Sequence, residues 1–244
     1  MRSQSNKRGG AGLAFLVLLL GFAVGITLFM PWETLCERLV RHVDSKLESV
    51  NFTWKDIRRA GPSGFRIDNL AVGFANAPGA LRFEHADLRF GISPLARVRL
   101  NTGGEECLLK IYRSGLVECE GQINLTYLLG GSGMQGTLFA KGGIMTSETE
   151  SGWLHLRSHR LILADGTESE DLSLTVEIRG GTWELKNISL RKPLDFQGKG
   201  SVALDRGDLR NSLVTLAGEV AVGNTFHPLN LENRLGFLLG APGR

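Results

Sequence analysis

The chain has 244 residues, with 28 Lys and Arg against 25 Asp and Glu, giving a formal charge of +3. That excess lies wholly in Arg2, Lys7 and Arg8, the only charges before Glu33, and the rest balances at 25 of each sign. No basic face therefore remains for nucleic acid, and bulk charge is not what attracts a ligand to the remainder. A 42% hydrophobic, 22% charged composition excludes a disordered chain, and three cysteines are too few for a disulfide scaffold.

Residues 9–32 hold no charge and are strongly apolar through Leu13–Leu20 and Phe22–Met30. As a helix this segment would cover about 36 Å at about 1.5 Å per residue, enough for a bilayer core of about 30 Å. Cleaved secretory signals have shorter apolar regions, of about 7–15 residues, ending in a small-residue site. Leu28-Phe29-Met30-Pro31-Trp32 offers no such site, so the expectation is a retained anchor. Arg2, Lys7 and Arg8 hold the tail 1–8 in the cytoplasm, and Trp32 marks the outer interface. The bulk of the chain then lies on the far side of the membrane.

Pro31 and Glu33 suit a helix start. Leu35, Leu39, Val43 and Leu47 recur every four residues, which predicts an amphipathic helix over 33–50. From residue 51 the period becomes two. Leu172, Leu174, Val176 and Ile178 alternate with polar neighbours, as do Phe196, Gly198, Gly200, Val202 and Leu204, and Val214, Leu216, Gly218, Val220 and Val222. Further strands are expected over 65–74, 81–92, 107–112, 116–125, 135–144, 153–158 and 183–190, punctuated by turns such as Ala164-Asp165-Gly166 and Arg206-Gly207-Asp208. With no long helical stripe after residue 50, a βαβ fold is excluded and a meandering antiparallel sheet remains. Gly136, Gly198, Gly200 and Gly218 at strand positions point to bulges, curvature or close backbone approach. The glycine-rich 130–133 reads as a hinge between two halves of the 51–244 domain, and Pro193 as another break.

Motifs that carry chemistry are missing. Gly131-Ser132-Gly133-Met134-Gln135-Gly136 matches G-x-G-x-x-G in letters but leads into a strand, where a dinucleotide needs a helix N-terminus. No Walker loop and no G-x-S-x-G nucleophile motif exist. His155 and His159, four apart on a strand, stand about 13 Å from each other, too far to share one zinc. The expectation is a protein without catalytic residues, cofactor or metal. Cys107 and Cys119 flank a hairpin turned by Arg113-Ser114-Gly115 with Gly115 left-handed. This register sets Ile111 opposite Val117, Leu109 opposite Cys119 and Cys107 opposite Gly121. The two cysteines are then diagonal, about 7–8 Å apart, and read as two buried thiols rather than a disulfide.

The span ending in Met30-Pro31-Trp32-Glu33, the helix after it, Val50-Asn51-Phe52-Thr53-Trp54 and Gly64-Phe65-Arg66-Ile67-Asp68-Asn69-Leu70 together resemble the type II secretion system protein N family. That family is similar to AsmA-type envelope proteins. Ala86-Asp87-Leu88-Arg89-Phe90 with Ser93-Pro94-Leu95, and Gly218–Val222 followed by Pro228-Leu229-Asn230-Leu231, are similar in kind. The resemblance implies a bacterial inner-membrane protein with a periplasmic, curved, groove-like sheet. It further implies an accessory role beside other secretion-system proteins, with no catalytic residues. Its alternative is a module similar to AsmA-type or lipopolysaccharide-export proteins, carrying lipid in an apolar groove lined by Leu172, Leu174, Val176, Ile178, Leu216 and Val220. An uncovered groove would favour the lipid alternative.

Overall fold

The computed structural model describes residues 50–61, 63–74, 80–130, 133–146, 151–163, 166–180, 182–192, 195–205, 211–222 and 225–234, together with Thr34 and Arg38. The tail 1–8, the span 9–32 with Trp32, and Cys36 lie outside them. Of the helix expected over 33–50, Thr34 and Arg38 are described as helical and exposed, while Val50 opens the first strand. Among the described residues no helix is long and apolar enough to cross a membrane.

The protein is mainly β, and its described residues form one open antiparallel sheet of 14 strands. In chain order they are β1 (Val50–Thr53), β2 (Asp56–Arg59), β3 (Gly64–Phe74), β4 (Ala80–Phe90), β5 (Ala96–Thr102), β6 (Glu105–Ile111) and β7 (Leu116–Asn124). After the short helix α1 (Leu125–Leu128) follow β8 (Gln135–Met145), β9 (Ser151–Ile162), β10 (Glu168–Arg179), β11 (Thr182–Leu190), β12 (Asp195–Ala203), β13 (Leu213–Val222) and β14 (Thr225–Arg234). From β3 onward each strand pairs with the next in sequence. β1 and β2 both pair with β3, as two halves of one edge strand broken at Trp54-Lys55. Strand packing runs along the sheet, between neighbours.

Alternation places one apolar face along the sheet. A row across it runs Ile57, Ile67, Ala86, Leu100, Cys107, Gly121, Ala140, Leu156 and Leu174, each opposite the next in register. At the first edge this face condenses into a buried cluster of Ile57, Phe65, Ile67, Leu70 and Ala86, against which Phe52, Trp54, Val72, Phe83 and Leu100 pack.

The alternation is not unbroken. In β3 the inward residues are Phe65 and Ile67, then Leu70 and Val72, one step out of phase. In β11 they are Trp183 and Leu185, then Ile188 and Leu190. In β10 they are Ser169, then Leu172, Leu174, Val176 and Ile178. At each break sits a residue with positive φ: Asn69 at 50°, Asn187 at 52° and Asp171 at 50°. These are the non-glycine types that accept the left-handed region most readily. Each reverses which side of the sheet the following residues face. At Asn187 the reversal also shifts the pairing register to β12.

The hairpin expected around Arg113-Ser114-Gly115 is present with the anticipated register. Gly115 has φ 84°, and Cys107, Leu109 and Ile111 pair with Gly121, Cys119 and Val117. Around the expected hinge at 130–133, β7 and β8 remain directly paired from Leu116↔Met145 to Asn124↔Thr137, so the sheet continues past that point. α1 bridges the two strands. The Asn124 side chain caps it by accepting from the Tyr127 amide at 3.2 Å, and the buried Thr102 hydroxyl accepts from the Asn124 amide at 2.9 Å.

Candidate functional site: the apolar face of the sheet

All six residues expected to line a groove share the apolar face. Val176 and Ile178 on β10 and Val220 on β13 are buried, while Leu172, Leu174 and Leu216 are half-buried. Two strands separate the groups, and register joins them. Val176 lies opposite Leu185, Leu185 opposite Gly200, and Gly200 opposite Leu216. Ile178 reaches Val214 in the same way through Trp183 and Val202. Two rows beyond Gly200, past Gly198 opposite Gly218, Phe196 lies opposite Val220.

The glycines of this face bring neighbouring strands together. A β-carbon at Gly142 would stand 2.5 Å from the Trp153 carbonyl oxygen, and one at Gly152 would stand 2.5 Å from that of Gly143. At Gly200 it would fall on the Thr215 carbonyl, and at Gly218 on the Gln197 carbonyl and the Phe196 ring. Gly143, on the polar face, would meet nothing nearer than 3.6 Å, and Gly73 nothing nearer than 3.8 Å. At these four glycines neighbouring strands close on the apolar side, while on the polar face Gly64, at the start of β3, is crowded too, 2.7 Å from the Ala60 carbonyl oxygen. The Phe196 ring fills the space that the missing side chains leave over Gly198 and Gly218.

The opposite face is polar and charge-paired. Arg66 holds Asp87 through two hydrogen bonds of 2.7 Å, which keep that carboxyl below its ordinary range. Lys141 lies 2.8 Å from Glu120, and Lys186 2.6 Å from Glu177, with the same effect on both carboxylates. A cavity of about 840 Å³ opens on this face beside Phe139, Arg157, His159 and Asp171. Two of its polar groups are held by hydrogen bonds. Arg191 binds Asp171 at 3.0 Å, and the Ser158 hydroxyl donates to the Thr137 carbonyl at 2.7 Å. A serine bonded to a backbone carbonyl is not poised as a nucleophile.

His155 and His159 are both exposed, the first beside the Thr175 hydroxyl at 2.9 Å and the second 3.5 Å from Asp171. Among the described residues no cluster of His, Cys, Asp or Glu could hold a metal ion. Cys107 is buried and Cys119 half-buried, and both are free thiols. Burial pushes the Cys107 thiol up to about 11 and raises that of Cys119 as well.

The reading of the groove from isolated strands passed over its connecting part. β11 supplies Trp183, Leu185, Ile188 and Leu190, whose alternation changes phase at Asn187. An Asn or Asp midway between two apolar pairs of opposite phase is the signal that identifies them. Strands β5 and β14 were also not anticipated from periodicity, although Ala96, Val98 and Leu100 do alternate with Arg97 and Arg99. No family model, curated protein or solved structure matches the chain.

Proposed function

We propose that the protein is a membrane-anchored envelope protein whose sheet forms a curved groove that holds lipid acyl chains against its apolar face. The observation that carries this reading is one apolar face continuous across the sheet. No second sheet layer lies on it among the described residues, and Leu172, Leu174 and Leu216 remain half-buried. A single-layer sheet leaves its apolar side in need of a partner, and extended exposed apolar surface usually binds something. The close-approach glycines of the apolar face support the curvature, since each lets a neighbouring strand tilt inward. An acyl chain laid along the face would gain about 0.8 kcal/mol for each methylene buried, before ordering costs. In this reading segment 9–32 is the single span of the bacterial inner membrane, with Arg2, Lys7 and Arg8 in the cytoplasm and the sheet in the periplasm.

Native mass spectrometry of the full chain, extracted in mild detergent, tests the proposal. Lipid adducts are expected on the wild-type protein and their loss from the double variant Leu174→Gln, Leu216→Gln, with an unchanged far-ultraviolet circular dichroism spectrum. A wild-type protein free of lipid, or adducts indifferent to these substitutions, overturns the reading.

A second reading, an accessory role within a type II secretion apparatus, rests on the family resemblance. The edges of the sheet favour it, because among the described residues β1–β2 and β14 each pair with one strand on one side, and a sheet edge is where a partner strand could add.

A further inference from the structure

Balanced total charge conceals a local excess on the polar face. Across this face the rule is complementarity: Arg66 lies opposite Asp87, Lys110 opposite Glu118, and Glu120 opposite Lys141. Where like charges do meet, a counter-charge intervenes. Arg58 faces Arg66, but Asp68 and Asp87 bind them. Glu177 faces Glu184, but Lys186 approaches both, at 2.6 and 3.7 Å.

One place breaks the rule. Arg89 lies directly opposite Arg97, and Arg97 directly opposite Lys110, so three cations stand abreast on β4, β5 and β6. Among the described residues no carboxylate comes within ion-pair distance of Arg89 or Arg97. The nearby acids serve other groups of the face, Glu106 lying 3.5 Å from Arg99. Asp87 is held by Arg66, and Glu118 accepts the Tyr112 hydroxyl at 2.8 Å while lying 4.0 Å from Lys110. Arg99, one row away, lies opposite Asp87 and beside Glu106, and the four cations line, with Asp87 and Leu108, a cavity of about 310 Å³. Like charges directly opposite on a sheet are destabilising, so this row costs stability unless an anion occupies it. Beside it, the β4–β5 turn exposes Phe90, Leu95 and Ile92, the last 95% accessible.

We infer that Arg89, Arg97, Arg99 and Lys110 bind a phosphate-type oxyanion, and that the apolar turn beside them makes the ligand a phospholipid headgroup rather than free phosphate. Planar guanidinium groups suit phosphate oxygens through paired hydrogen bonds. Cations around an exposed apolar tip match the chemistry of an anionic lipid surface. The site lies on the face opposite the acyl-chain groove, and neither reading depends on the other.

The test uses the full chain in a neutral detergent at constant ionic strength, titrated either with pyrophosphate or with phosphatidylglycerol added to the micelles. Phosphatidylcholine serves as the control lipid. Wild-type protein is expected to bind both phosphate probes, and Arg89→Thr and Arg97→Thr to weaken each about tenfold or more. Each variant, having lost the repulsion, is expected to melt above the wild type when no ligand is present. Lys141→Gln, which removes a paired cation, is expected to leave binding unchanged. Ile92→Ser is expected to weaken phosphatidylglycerol binding and spare pyrophosphate. Absence of binding to either probe overturns the inference, as does binding indifferent to Arg89 and Arg97. Equal response to phosphatidylcholine, or an Ile92→Ser protein that binds phosphatidylglycerol normally, overturns the lipid assignment.

Discussion

Single atoms decide much of this sheet's geometry. At Gly200 the absent β-carbon is what permits the Thr215 carbonyl to close on β12, and Leu216 fills the adjoining space. Gly200→Val is expected to cost about 1–3 kcal/mol through overpacking, seen as a lower denaturant midpoint. Gly143→Ala, whose new methyl has free room on the polar side, is expected to change the midpoint little. Equal effects of the two substitutions would show that the strands do not crowd on one side. Cys107 follows the same logic of burial. With its thiol pushed up to about 11, it stays protonated and weakly nucleophilic at neutral pH, a packing residue beside Gly121.

At the level of the strand, a single residue reverses everything that follows it. Asn69, Asp171 and Asn187 have positive φ, and beyond each one the apolar residues change phase while continuing to face the same side. A β-branched residue there would have to adopt a backbone region that excludes it, or turn the rest of the strand over. Asn187→Val is therefore expected to destabilise the protein by about 1–2 kcal/mol, while Asn187→Gly leaves it as stable as the wild type or more so. Thermal melts of both variants check this, and a Val variant as stable as the Gly variant would exclude a required left-handed residue. The outermost strand obeys another constraint. β14 is an edge strand and carries Pro228, a residue that a central strand could not accommodate without losing a ladder hydrogen bond.

Across the molecule, every strand after β2 pairs with its predecessor in the chain. Such an array is quasi-one-dimensional, and its stability resembles a sum over neighbouring strands, as in repeat proteins. Edges hold one neighbour where central strands hold two. Amide hydrogen exchange is expected to be slowest in β8–β10 and to quicken toward β14, whose residues are largely exposed. Uniform protection from centre to edge would instead indicate one cooperative unit closed by contacts across the sheet.

Amino-acid order alone determined the antiparallel meander, because its signals are local. Alternation marks strands, and a loop such as Arg113-Ser114-Gly115 sets the pairing of the two strands it joins, down to Cys107 opposite Gly121. It also placed Leu172, Leu174, Val176, Ile178, Leu216 and Val220 on one face within their own strands. What sequence reading passed over were the phase changes: the strands expected over 65–74 and 183–190 run through Asn69 and Asn187, and nothing in the alternation alone marks the left-handed residue that turns it over. Only the tertiary structure decided which way the sheet leans, because tilt is a property of adjoining backbones and not of any one strand. It alone also set Arg89, Arg97 and Lys110 abreast. Their neighbourhood depends on the register of three strands at once, and a one-residue slip in any of them would have turned those charges to the other face.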